Sequence, residues 1–76
     1  MKDIQLTLNT FSKAARLQQI AAKAKGKVDL LQDHYIINAK SILGIFSLDL
    51  NRPMTIRIYE TEDEDLLVRE LVSNFI

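Results

Sequence analysis

The sequence contains no cysteine and no tryptophan, and it has only two glycines, one proline and one histidine. The absence of cysteine excludes a disulfide framework, thiolate nucleophiles and cysteine-based zinc sites. Small secreted domains often depend on disulfides, so this absence favours a protein of the cell interior. There is also no excess of either charge, because ten basic residues balance ten acidic ones. Direct nucleic-acid binding and a polybasic membrane patch are therefore not expected.

Long apolar runs are missing as well. No stretch approaches the roughly 20 residues of a membrane span, and residues 1–5 lack the apolar centre of a signal peptide, so we expect no membrane insertion. The 76 residues, of which 47% are hydrophobic, suit a single folded domain over residues 1–76. High hydrophobicity with no net charge argues against intrinsic disorder.

Two periods divide the chain into strands and helices. Apolar and polar residues alternate over 4–9 and over 54–59, which is the pattern of half-buried strands. Two shorter β-type runs, 28–31 and 35–39, flank the polar residues 32–34 and predict a hairpin.

Between the first strand and the hairpin, apolar residues recur every three or four positions and predict a helix. Asn9 or Thr10 is suited to cap its start, and Gly26 to mark its end after Lys23 and Lys25. The apolar face of this helix consists of Phe11, Ala14, Leu17, Ile20, Ala21 and Ala24.

Two further helices are predicted. Ser41 can cap a short apolar helix over 42–48, and Thr61 can cap a last helix that has the acidic residues 62–64 in its first turn. The apolar face of the last helix consists of Leu67, Val68, Leu71, Val72 and Phe75. The order β-α-β-β-α-β-α predicts an α+β domain, with helices on one face of an antiparallel sheet and a more polar face opposite.

The segment 38–48 has the sequence NAKSILGIFSL. It resembles the region around the regulatory serine of HPr, the histidine-containing phosphocarrier protein of the bacterial sugar phosphotransferase system, through a Lys-Ser-Ile-x-Gly-x-x-Ser-Leu core. The resemblance extends without gaps back to the first strand and more loosely forward to the last helix. It implies an open-faced β-sandwich of four antiparallel strands, with two long helices and one short helix on one face. It also implies a cytoplasmic bacterial protein.

The family's phosphorylated histidine begins the first helix, within a Gly-x-His-x-Arg-Pro-Ala motif. Counted without gaps, that motif falls on residues 8–14, where Thr10 takes the histidine position, Ser12 the arginine position and Lys13 the proline position. Threonine forms a stable phosphate ester and has no nearby base to activate it. We therefore predict that the relay from phosphoenolpyruvate through Enzyme I is lost and that the protein is not an enzyme.

The one histidine, His34, falls in the predicted hairpin turn. It could be a displaced carrier or a metal ligand, but a lone histidine without clustered partners is more typical of a solvated turn. The acidic run 60–65 lacks the alternating ligands and central glycine of an EF-hand loop. No metal or cofactor is expected.

Ser41 corresponds to the serine that a dedicated ATP-dependent HPr kinase phosphorylates in the resembling family. A phosphate at a helix start would meet free backbone N–H groups, and Lys40 could add positive charge. A serine at this position would also be useful simply as an N-cap. Both interpretations stay open.

The resemblance places the starts of the first and second helices on one surface, where HPr docks Enzyme I, sugar-specific EIIA domains and regulators. The residues expected there form a mostly apolar docking patch: Phe11, Ala15, Lys40, Ile42, Leu43 and Phe46. Alternatively, Ile42 and Phe46 both point into the core.

The leading hypothesis is a non-catalytic HPr-like protein that regulates carbon and sugar metabolism by docking. Phosphorylation of Ser41 by an HPr kinase would present the patch to a transcription regulator or to other components of the phosphotransferase system. One alternative is a carrier in sugar transport that uses another residue. A second is an HPr fold repurposed as an unrelated binding module.

Overall fold

Four strands form one antiparallel sheet in the order β1-β4-β2-β3. The computed structural model describes all 76 residues. The strands are β1 (Lys2–Leu6), β2 (Lys27–Gln32), β3 (Tyr35–Asn38) and β4 (Met54–Tyr59), and the helices are α1 (Phe11–Ala22), α2 (Ile42–Phe46) and α3 (Glu64–Phe75). The predicted α+β class and the predicted element order are confirmed. No helix is both long and apolar enough to cross a membrane.

The centre of the sheet is an inward row of aliphatic side chains. Ile56 of β4 lies opposite Ile4 of β1 on one side and Leu30 of β2 on the other, and Leu30 lies opposite Ile37 of β3. Inward and outward residues alternate along β4, as the period of two predicted. Full burial of a side chain such as Ile56 or Leu30 contributes about 1.5–3 kcal/mol.

The opposite face of the sheet is largely polar, apart from the paired side chains of Leu31 and Ile36. The Arg57 guanidinium donates to both carboxylate oxygens of Asp3, at 2.9 Å each, and the Tyr59 hydroxyl donates to the carboxylate of Asp29 at 2.6 Å. The hydrogen bond from Arg57 holds the pKa of Asp3 below its usual value. This face remains open to solvent, so each ion pair contributes little to stability.

The end of α1 differs from the prediction. The helix ends at Ala22, with Lys23 as its C-cap, rather than at Gly26. Gly26 does not adopt the left-handed backbone conformation. A glycine is required here for a different reason: a Cβ at this position would overlap the carbonyl oxygen of Glu60. The glycine is needed for the close approach of two chain segments.

The start of α3 was also predicted wrongly. Thr61 does not cap the helix, because α3 begins at Glu64 and Thr61 lies two residues before the N-cap position. Its hydroxyl donates to the side chain of Asp63 and accepts from the Asp63 N–H at 3.4 Å. Asp63 occupies the N-cap position without making a side-chain capping bond, and the acidic residues of the first turn are Glu64 and Asp65. Three smaller differences are that β1 spans Lys2–Leu6 instead of 4–9, that α2 ends at Phe46 and that Val72 is 43% exposed, outside the core.

The loop between α2 and β4 is anchored by one buried amide. Gln32 is only 6% exposed, and its Nε2 donates to the carbonyl oxygen of Asp49 at 2.9 Å. Its Oε1 accepts a hydrogen bond from the Asp49 N–H at 2.8 Å. Nearby, Arg52 donates to Asp33 at 2.7 Å, and this hydrogen bond lowers the pKa of the Asp33 carboxyl. The hairpin turn and the loop are therefore joined at two points.

Replacing Gln32 by leucine should destabilise the fold by about 1–3 kcal/mol, because the N–H and the carbonyl of Asp49 would lose their partner beside a buried position. Urea denaturation measures the change in the free energy of unfolding. Gln19→Leu is the matched control, since Gln19 is exposed on α1. Equal stability of the two variants would contradict a structural role for the Gln32 amide.

Candidate functional site

The first and second helices both begin at a side-chain hydroxyl. The Oγ1 of Thr10 accepts a hydrogen bond from the Lys13 N–H at 3.1 Å, and the Oγ of Ser41 accepts one from the Gly44 N–H at 3.1 Å. Both residues are exposed and have extended backbone conformations, as is usual for an N-cap. Each hydroxyl therefore satisfies a helix donor while remaining in contact with solvent.

Two phenylalanine rings, one from the first residue of α1 and one from the last residue of α2, meet in solvent. The rings of Phe11 and Phe46 are 5.2 Å apart between centroids and inclined at 78°, an edge-to-face contact. Phe11 is 71% exposed, Phe46 is 40% exposed, and Leu43, one turn before Phe46 on α2, is 79% exposed. We call these three residues the aromatic surface. An apolar group of this kind outside the core is typical of a protein-binding site.

The residues predicted to share this region occupy different environments. Ile45 is the fully buried residue of α2, whereas Ile42 is only partly buried. The alternative in which Ile42 and Phe46 both point into the core is wrong, because Phe46 is 40% exposed and Ile42 is only partly buried. Ala15, one turn after Phe11 on α1, is partly buried.

The ammonium group of Lys40 is held at the end of α1. Its Nζ donates to the carbonyl oxygen of Ala24 at 3.0 Å, while its own carbonyl accepts a hydrogen bond from Gln18 at 3.0 Å. The sequence suggested that this charge could serve a phosphate on Ser41. In the structure it instead stabilises the unpaired carbonyls that follow α1.

The remaining predicted positions are exposed. Ser12 and Lys13 lie in the first turn of α1, and Lys13 contributes its N–H to the cap. His34 lies in the turn between β2 and β3, beside Asp33, whose φ of 55° is left-handed. No group of three or more His, Cys, Asp or Glu residues is arranged to hold a metal ion.

A cleft of about 520 Å³ opens beside the aromatic surface. Its eight lining residues come from the start of α1 and from the end of α2 with the loop that follows: Asn9, Thr10, Phe11, Phe46, Leu48, Asp49, Leu50 and Asn51. Asn9 has a left-handed φ of 70°, and its N–H donates to the carbonyl of Leu50 at 2.8 Å, which joins the two sides.

Sequence reasoning missed the polar side of this cleft. Asn9 lies in a loop that the alternation over 4–9 assigned to a strand, and Asp49 and Asn51 lie in a loop without a periodic pattern. Only the fold brings the three residues together. One local signal was available, because asparagine tolerates the left-handed backbone conformation better than most residues and precedes a threonine cap.

The two caps should contribute measurably and separately to stability. Thr10→Ala and Ser41→Ala should each lower the free energy of unfolding by about 0.5–2 kcal/mol, since each leaves a helix N–H without its partner. Thr10→Ser is the conservative control and should retain most of the stability. Thermal unfolding followed by circular dichroism checks this, and an unchanged Thr10→Ala protein would refute the capping role.

Comparison with known proteins identifies the family. A family model described as the PTS HPr component phosphorylation site matches residues 11–75. A comparison with curated proteins finds no match. Among solved structures, HPr-C-His from Thermoanaerobacter tengcongensis is similar with a TM-score of 0.72 and 23% identity, covering 96% of this chain and 92% of that one.

Two other HPr structures are similar to this chain. The histidine-containing phosphocarrier protein of Mycoplasma has a TM-score of 0.78 and 15% identity, covering 96% of this chain and 90% of the other. The phosphocarrier protein HPr of Bacillus anthracis str. Ames has a TM-score of 0.71 and 20% identity, covering 99% and 96%. The similarity of these structures establishes the fold, and the family model covers most of the chain. The chain therefore belongs to the HPr family of the phosphotransferase system, whose members are phosphocarriers rather than enzymes.

Proposed function

We propose that this protein is a non-catalytic member of the HPr family that docks onto partner proteins in the bacterial cytoplasm and regulates carbon and sugar metabolism. The observation that carries the proposal is the aromatic surface at the start of α1 and along α2, where Phe11 is 71% exposed while in edge contact with Phe46. The family works with other proteins of the phosphotransferase system, so protein partners are expected.

The loss of the phosphohistidine relay is part of the proposal. The start of α1 carries Thr10, whose hydroxyl caps the helix, and no imidazole lines the adjoining cleft. Carrier chemistry requires a phosphate that leaves easily, as it does from an imidazole nitrogen. A threonine ester lacks that lability, and no side chain within hydrogen-bond distance of Oγ1 serves as a base.

Docking accounts for the apolar side chains that the fold leaves uncovered. Removing such surface from water contributes roughly 25 cal/mol for each square ångström. The two rings and Leu43 therefore contribute to binding when a partner covers them. Aromatic residues at the centre of an interface commonly dominate its affinity. Enzyme I, an EIIA domain or a transcription regulator would supply the matching apolar surface.

Ser41 is the proposed switch. Its side chain is exposed, and it immediately precedes the helix that presents Leu43 and Phe46. A phosphate would add about −1.5 to −2 charges at pH 7. The ammonium of Lys40 is engaged by Ala24, so the partner would have to provide much of the balancing charge. A phosphoserine could thereby change which proteins bind.

The relay is tested with labelled phosphoenolpyruvate and Enzyme I from the same organism. We expect no acid-labile phosphate on this protein, because its sole imidazole lies in the β2–β3 turn. Intact-mass analysis and site mapping measure the outcome. Acid-labile label on His34, abolished in His34→Ala, would contradict the proposal and establish a carrier in sugar transport.

The docking role is tested by calorimetric binding to purified Enzyme I, HPr kinase and candidate regulators. Phe11→Ala should weaken binding of the true partner by about tenfold or more, as expected when an aromatic anchor is removed. Tyr35→Ala is the matched control, because Tyr35 is an exposed aromatic residue on β3 that does not line the cleft. Equal affinities for the two variants would exclude the aromatic surface.

The same binding series separates the switch from the surface. Ser41→Ala should bind like the unmodified protein but lose any dependence on sugar supply. Protein recovered from its own cells should carry an acid-stable phosphate on Ser41 under one sugar condition. If phosphate is absent under both conditions and Phe11→Ala still weakens binding, Ser41 is only a cap and the fold serves a plain binding module.

A further inference from the structure

We propose that the cleft beside the aromatic surface receives an arginine side chain of the partner protein. The proposal rests on the docking function above and specifies what docks there. The cleft combines two features that suit a guanidinium group: one carboxylate on its polar side, from Asp49, and exposed aromatic rings on its apolar side, from Phe11 and Phe46.

Asp49 is the single charged residue among the eight that line the cleft. None of the four ion pairs in the structure includes it. Its Oδ1 accepts a hydrogen bond from the Asn51 N–H at 3.1 Å, while Oδ2 makes no hydrogen bond within the chain. The Arg52 guanidinium interacts with Asp49 electrostatically, but its hydrogen bond and ion pair are with Asp33. Asp49 therefore keeps a free carboxylate oxygen and no ion-pair partner in the lining of the cleft.

The main chain that carries this carboxylate is held in place, and the Asn51 N–H binds its Oδ1. The buried amide of Gln32 binds both the N–H and the carbonyl of Asp49, so the main chain at this point is tied to β2. A preorganised carboxylate loses little freedom on pairing, which favours binding over an equally charged but mobile side chain.

The apolar side of the cleft suits the flat face and the methylene stem of an arginine side chain. A guanidinium group stacks on aromatic faces and interacts favourably within about 6 Å of a ring centroid. Its methylene stem can lie along apolar walls, here those of Leu48 and Leu50. Because the planar group carries five N–H donors, it can also reach the side-chain oxygens of Asn9 and Asn51 while it pairs with Asp49.

An anionic occupant is disfavoured. The start of α1 alone would attract a negative group, but the Lys13 N–H is already taken by Thr10. No basic side chain lines the cleft, and Asp49 would repel an anion. Lysine shares the charge but presents it as a compact, strongly hydrated point, which uses the aromatic rings less well.

The probe is the peptide acetyl-Leu-Arg-Leu-amide, titrated into the ¹⁵N-labelled full chain and followed by amide chemical shifts. We expect saturable shifts confined to residues 9–11 and 46–51. The same peptide with citrulline in place of arginine should bind about tenfold more weakly, because it keeps the shape and loses the charge. Asp49→Asn should weaken the arginine peptide about fivefold, and added salt should reduce that difference.

The matched control is Asp65→Asn, which removes the same charge from the exposed first turn of α3. An equal effect of the two substitutions would overturn the proposal, since only overall charge would then matter. Equal binding of the arginine and citrulline peptides, with both weakened by Phe11→Ala, would also overturn it while leaving the aromatic surface as a docking site. A peptide that leaves the cleft amides unshifted refutes the arginine site. In that case, the calorimetric comparison of Phe11→Ala with Tyr35→Ala still decides the docking function separately.

Discussion

The hydrogen bonds of one buried glutamine hold in place the loop after α2, which lines the cleft. Gln32 occupies an inward position at the end of β2, where an aliphatic residue would ordinarily complete the core. Both ends of its amide are used by the main chain of Asp49. The loop after α2 is thereby held against the sheet, and Leu50 in that loop accepts the Asn9 N–H just before α1. The two sides of the cleft are held together because one loop is bonded to β2 and the other is bonded to that loop.

The aromatic surface follows from how the helices begin. A cap must lie at the edge of the domain, where its hydroxyl reaches a free N–H group and still contacts water. Phe11 follows Thr10 directly, so its ring emerges at that same edge rather than over the sheet. Phe46, at the last position of α2, meets it there. The two rings bury part of each other, and the core is completed without them by Ile45 and Leu17.

Sequence patterns predicted the helices and strands in which apolar residues recur at a regular period. They missed the features that depend on contacts with distant parts of the chain. The period of two located β4 over its full length and placed β1 two to three residues too late, and the threonine before an apolar face located the start of α1. Gly26 and Thr61 carried local signals for a helix stop and a cap, yet in the structure they lie against each other at the end of β4, outside both helices. In α2, five residues are too few for a helical period to show that Ile45 faces the core.

The cleft lies beyond this kind of reasoning because its two sides are about 40 residues apart in the chain. Its chemistry nevertheless connects with the proposed switch. Because α2 rises only about 1.5 Å per residue, a phosphate on Ser41 would lie within roughly one Debye length of Phe46 at physiological salt. It would add negative charge beside a cleft whose one charged side chain, that of Asp49, is already negative. Modification would then strengthen the attraction for a cationic partner, while the apolar contact would stay the same. Affinity would come mainly from the rings, and orientation and regulation from the charges.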